Sequence, residues 1–164
     1  MDLEKKLNDL GQHINNRYPE INHGGCCVFA SMVARELHDK GIQAQGIVAS
    51  GCAAKKAGNI TIDAARELVE WNTVWQWESN GVSFSHVGVE FRLGRKIKHY
   101  DTNGVHKISK KLDGLPIYKG RLTLKEMEDL ARCKDGWNDS FNRRHIPAIR
   151  REVKKFLKDV TMVD

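Results

Sequence analysis

Three side chains in this sequence are of the types that together perform thiol chemistry: Cys26, His86 and Asp101. Nucleophilic catalysis by a thiol needs a thiolate, a base that generates it, and a group that holds the base in its useful tautomer. Cys26 follows Gly24-Gly25 at the predicted start of a helix. Unpaired N–H groups and partial positive charge at a helix start stabilise a thiolate. The glycine before it is expected to let a substrate chain approach the sulfur. Periodicity separates Cys26 from Cys27. The helical neighbours of Cys26 are Phe29, Ala30, Val33, Ala34 and Leu37, one apolar face, whereas those of Cys27 include Ser31, Arg35 and His38. Cys26 is therefore expected to point toward a packed sheet and Cys27 to pack sideways.

The elements that must carry the base and its partner follow from alternation. Val82 to Leu93 alternates apolar and polar residues around Val87, Val89 and Phe91 and reads as a strand with His86 in it. His86 shares its face with Gly88 and Glu90, and the glycine is expected to leave room for the nucleophile helix. Leu93-Gly94-Arg95 reads as a turn and Lys96 to Thr102 as a second strand, closed by Asn103-Gly104. Such an antiparallel hairpin brings Asp101 beside His86, with Asn103 on the same side as a reserve orienting residue. A slip of one residue would turn Asp101 to the other face.

The remaining chain supplies helices. Leu3, Leu7, Leu10 and Ile14 form one helical stripe that Pro19 helps stop. The helix begun at Cys26 is expected to end at Gly41, followed by a strand over 42–50 and a loop over 51–59. Ile62 to Trp71 reads as a helix, and Trp71, Trp75 and Trp77 crowd a transition after it. Thr123-Leu124-Lys125-Glu126 is a capping box opening another helix. Pro147 lies early in a last helix with Ile149, Val153, Phe156, Leu157 and Val160 as its apolar stripe. Helices, then strands, then helices make α+β the expected class, as one domain over 1–164 with a basic helical region at 123–160.

Gly25-Cys26-Cys27-Val28-Phe29-Ala30, continued by Ala34, Leu37 and Gly41-Ile42, resembles the nucleophile helix of transglutaminase-like proteins. His86-Val87-Gly88-Val89-Glu90 resembles their His-x-x-Val-Glu strand, and Tyr100-Asp101-Thr102 the aspartate closing the next strand. The order Cys, His, Asp also describes the wider papain-like superfamily. The resemblance covers residues 24–50 and 84–103. It implies a nucleophile helix packed on a small antiparallel sheet, and a cysteine peptidase or amidase that cleaves amide or acyl bonds through a thioester. A transglutaminase-like acyltransferase and a catalytically inactive binding module are the alternatives. Two positions depart from the pattern. Glu20 stands where papain-like peptidases carry an oxyanion-hole glutamine, with Gln12 and Asn22 as substitutes, and Gly88 stands where transglutaminase-like strands usually have an aromatic residue.

Composition bounds these readings. The chain has 164 residues, 40% hydrophobic and 29% charged, with no apolar run long enough to cross a bilayer. Its charged N-terminal stretch is unlike a secretory signal, so a cytoplasmic setting is expected, with reduced thiols in place of a disulfide framework. Cys52 and Cys133 read as small core residues. No metal or organic cofactor is required. Zinc ligation by His23, Cys26, Cys27 and His86 or His99 is disfavoured because no spaced ligand pair is present. Residues 1–82 carry 8 Lys/Arg against 10 Asp/Glu, a net of −2, whereas residues 83–164 carry 19 against 11, a net of +8. The basic half suits an acidic partner. Arg143, Arg144, Arg150, Arg151, Lys154 and Lys155, with Trp137 and Phe141 as stacking surfaces, make nucleic acid a rival partner to a peptide or amide substrate. A regular apolar stripe with a solvated basic face explains the same helix equally well.

Overall fold

A computed structural model of the chain describes residues 2–22, 24–52, 82–106, 111–112, 115–132 and 141–160; of these, the side chains of 49–52, 82–85, 111–112 and 115–119 are outside the description. The predicted helix 62–71, the tryptophans at 71, 75, 77 and 137, and Cys133 lie outside the described residues.

Helix α1 (Leu3–Arg17) is capped by Asp2, whose carboxylate accepts from the N–H groups of Glu4 and Lys5. Its expected stripe is fully used: Leu7, Leu10 and Ile14 are sealed in the core. A short 3-10 helix at Pro19–Asn22 leads into α2 (Cys26–Asp39). Gly41, at φ +78, ends α2 in the left-handed conformation that L side chains avoid, and the N–H groups of Gly41 and Ile42 return to the carbonyls of His38 and Leu37. Helix α3 (Leu124–Arg132) opens on the reciprocal capping box: Thr123 N–H donates to Glu126 at 2.7 Å, and Glu126 N–H donates to Thr123 Oγ1 at 3.3 Å. Helix α4 (Ile146–Leu157) buries Ile149, Val153 and Leu157.

Among the described residues, six strands form an antiparallel sheet: β1 (Ala44–Cys52), β2 (Val82–Leu93), β3 (Lys96–Asp101), β4 (Gly104–His106), β5 (Lys111–Leu112) and β6 (Leu115–Leu122). Their spatial order is β4-β3-β2-β1-β6-β5. The protein is α+β, as expected. The first strand runs two residues later than its sequence pattern suggests, so Gly51 and Cys52 belong to it and not to a loop. Strand β2 spans the predicted residues, and Val87, Val89 and Phe91 seal one of its faces. Tyr100 of β3 lies on that side too, its ring 5.9 Å from that of Phe29 on α2. Among the described residues, no helix is long and apolar enough to cross a membrane.

Candidate active site

Cys26 is the first residue of α2 and is buried. No side chain caps this helix start and its first turn holds no acidic residue, so the first N–H groups remain unspent by a local carboxylate. The role expected of Gly25 is different in the structure. A Cβ there would meet Ile21 Cδ1 and Phe141 Cδ2 at 2.8 Å and the Ile21 carbonyl oxygen at 2.9 Å. Core packing, and not a substrate chain, occupies that space.

His86 lies on β2 opposite Ala49 of β1. The β2–β3 ladder ends at Val89–Tyr100, three residues short of it, so His86 has no directly opposed ladder partner among the described residues of β3. His86 Nε2 lies 2.9 Å from Asp101 Oδ2. The Cys26 thiol is near enough to favour the charged form of the ring. One ring nitrogen is taken by the carboxylate, so Nδ1 is the atom left to serve the thiol. Burial disfavours a charged imidazole, but hydrogen bonds to Asp101 and Cys26 and the charges of both outweigh it and push His86 up to about 10. The charged form of the ring is thereby favoured. Cys27 diverges, as its periodicity implies: its sulfur lies 3.7 Å from the Met127 carbonyl oxygen on α3.

Asp101 is 8% exposed, and both its oxygens are engaged. Oδ1 accepts the Asn103 N–H at 2.7 Å, a local turn bond, and Oδ2 faces His86. Burial pushes this carboxyl up, but the His86 hydrogen bond, the nearby charges of His86 and His106, and the Asn103 N–H hold it below the usual value. Asn103, the reserve orienting residue, acts through its backbone; its side chain is exposed. Gly88 matters for a reason other than the expected one. A Cβ there would lie 2.9 Å from the Tyr100 carbonyl oxygen and 3.8 Å from Asp101 Cβ. The missing side chain lets β3, and not the nucleophile helix, come close.

A closed ring of amides ties this corner together. Thr102 Oγ1 donates to Asn22 Oδ1 at 2.7 Å, Asn22 Nδ2 donates to Asn15 Oδ1 at 3.1 Å, and Asn15 Nδ2 donates to the Thr102 carbonyl oxygen at 2.8 Å. Gly11 permits the approach, because a Cβ on it would fall 2.7 Å from that carbonyl oxygen. The residue after Asp101 is thus bound to α1 and to the 3-10 helix that leads into Cys26. Asn22 spends its oxygen and one N–H in the ring, Glu20 faces His145 Nε2 at 3.4 Å, and Gln12 is exposed on α1. The ring had no local signature in the sequence, because Asn15 lies within α1 and its partners are set by tertiary folding.

Further along the His86 face, buried Glu90 accepts from Gln45 at 2.6 Å and Arg121 at 2.8 Å, and His99 Nε2 lies 3.2 Å from it. These contacts lock β1, β2, β3 and β6 in register, and His99 is thereby committed to Glu90. Cys27 and His99 are directed elsewhere than Cys26, while His23 lies outside the described residues. The late basic segment has one of its expected aromatic surfaces removed: Phe141 is 4% exposed and packs over Gly25.

Compared with protein-family models, curated proteins and solved structures, the chain matches none.

Proposed function

We propose that the protein is a thiol hydrolase, a cysteine peptidase or amidase with a papain-like or transglutaminase-like core, with Cys26 as nucleophile, His86 as acid and base, and Asp101 as the group that orients His86. The observation that carries this reading is an imidazole 2.9 Å from a carboxylate and close enough to the thiol at the start of α2 to respond to it. A thiolate paired with an imidazolium is the reactive resting form of such a site.

In this mechanism the Cys26 thiolate attacks a carbonyl carbon, and the carbonyl oxygen takes the negative charge. The free N–H groups at the start of α2 stabilise that oxyanion. Collapse of the intermediate expels the amine, which takes the proton from His86, and leaves a thioester on Cys26. His86, now neutral, removes a proton from water as the water attacks the thioester. The acid product leaves and the thiolate–imidazolium pair is restored. Water is the acyl acceptor in this reading because the His86 side chain is 29% exposed, against 9% for that of Asp101, so solvent reaches the base.

The test is labelling with iodoacetamide across pH, with the modified residue located by mass spectrometry. Fast labelling lost in Cys26→Ala and in His86→Ala but retained in Cys27→Ala supports the assignment. Equal, slow labelling of both cysteines contradicts it.

A further inference from the structure

Asp101 has a second imidazole on its other side. His106 ends β4, whose ladder with β3 pairs Asp101 with Gly104 and His99 with His106. Directly opposite residues in an antiparallel pair share a face, so His106 and Asp101 lie on the same side. His106 Nδ1 is 2.9 Å from the Gly104 carbonyl oxygen. A carbonyl only accepts, so Nδ1 carries the proton and the tautomer is fixed. The other nitrogen, Nε2, lies 3.6 Å from Asp101 Oδ2, the same oxygen that faces His86.

The strand is built to hold this position. Gly104 has φ +102, and a Cβ on it would meet Asn8 Oδ1 at 2.5 Å. That same oxygen accepts the Val105 N–H at 2.7 Å, fastening β4 to α1. Among the described residues, other groups near His106 are already committed: His99, across the ladder, faces Glu90 at 3.2 Å, and Asn8 spends its oxygen on the backbone. Asp101 is, among the described residues, the carboxylate that His106 faces at close range.

We infer that His106 is a positioning residue of this site: held by the Gly104 carbonyl, it keeps the Asp101 carboxylate ionised and turned toward His86 in acid solution. This role rests on the proposed reading of Cys26, His86 and Asp101. Because Nδ1 is committed as a donor, neutral His106 offers Asp101 a lone pair, whereas the doubly protonated ring offers an N–H and a positive charge. That charge, 3.6 Å from Oδ2, favours the ionised form of Asp101. A protonated Asp101 no longer presents a charged acceptor to His86, and the ring is no longer held in place toward Cys26.

The experiment measures iodoacetamide labelling of Cys26 against pH in the full chain, for the parent, His106→Gln and His106→Ala, with circular dichroism as a check on folding. In both variants the acid limb is expected to move upward by at least about one pH unit, the effect of removing one nearby charge. The rate on the alkaline plateau should stay within about twofold of the parent. An unmoved acid limb, or an equal loss at every pH, would overturn the role. Carbon-13 titration of the Asp101 carboxyl is a second readout: it should move upward in His106→Gln, and an unchanged midpoint contradicts the inference whatever the labelling rate. Failure of the underlying site has a different signature, a parent profile that His86→Ala leaves unaltered, and that result would overturn the site and this role together.

Discussion

His86 Nε2 and Asp101 Oδ2 are 2.9 Å apart although the two residues are not directly opposed in the sheet. The ladder ends at Val89–Tyr100, and one further step along the same register sets Gly88 opposite Asp101, with His86 two residues beyond. The contact is diagonal, and its reach depends on the absence of a side chain at 88. The orienting pair is therefore a property of three residues, one of which acts by having no Cβ.

Gly88→Ala should accordingly damage the site without touching a reactive atom. Its methyl would stand 2.9 Å from the Tyr100 carbonyl oxygen, a backbone atom that yields only if β3 moves. We expect a stability loss of about 1–3 kcal/mol, typical of overpacking. Urea unfolding measures the loss, and Cys26 labelling should slow in the protein that remains folded. Unchanged stability and labelling would contradict this account of the diagonal.

Asp101→Ala removes the acceptor from both His86 and the Asn103 N–H. The expected cost is about 1–3 kcal/mol for the buried groups left unsatisfied. The His86 midpoint should fall below its parent value of about 10, because a hydrogen bond and a charge that favour the imidazolium are gone. Imidazole proton resonances followed against pH check the direction.

Stability should depend on pH at both ends. His86 is raised from an ordinary 6.5 to about 10, so its contribution is fully present below pH 6.5 and is lost as pH climbs through about 10. Asp101 is held below its ordinary 3.8, so its contribution is present above that pH and is lost as pH falls through the lower native value. Urea midpoints measured across pH should decline on both sides. His86→Ala should flatten the alkaline decline and also weaken the acid one, because His86 is what chiefly holds Asp101 low.

Phe141→Ala tests the packing that fixes the helix start. Phe141 lies against the Gly25 position and is nearly sealed from solvent. Removing a buried phenylalanine costs about 3–5 kcal/mol, and thermal unfolding should register it. If the late basic segment instead used this ring to stack on bases, the substitution would leave stability unchanged.

Much of the framework was legible because it rests on local periodicity and local hydrogen bonds. The stripe of Leu7, Leu10 and Ile14, the capping box at Thr123 and Glu126, and the end of α2 at Gly41 each depend on residues within a few positions of one another. Strand β6 was not legible: in Leu115–Leu122, Pro116, Lys119, Gly120 and Arg121 break the alternation, and its place beside β1 is a tertiary choice. At the site, the order of Cys26, His86 and Asp101 and the face of the helix could be read. The uses of the glycines could not. Sequence alone suggests substrate and helix approach at Gly25 and Gly88, whereas Phe141 and the Tyr100 carbonyl, both distant in sequence, are what come near. His106 was invisible for the same reason, since three residues of β4 carry too little pattern to announce a strand.

The most direct measurement of the central claim is the titration of the His86 ring in the parent and in Cys26→Ala, by NMR on the intact chain. If sulfur and imidazole are paired, the parent ring titrates near pH about 10 and the midpoint falls when the sulfur is removed. A midpoint that is identical in the two proteins would show that Cys26 and His86 do not act on each other, and the proposed site would be contradicted.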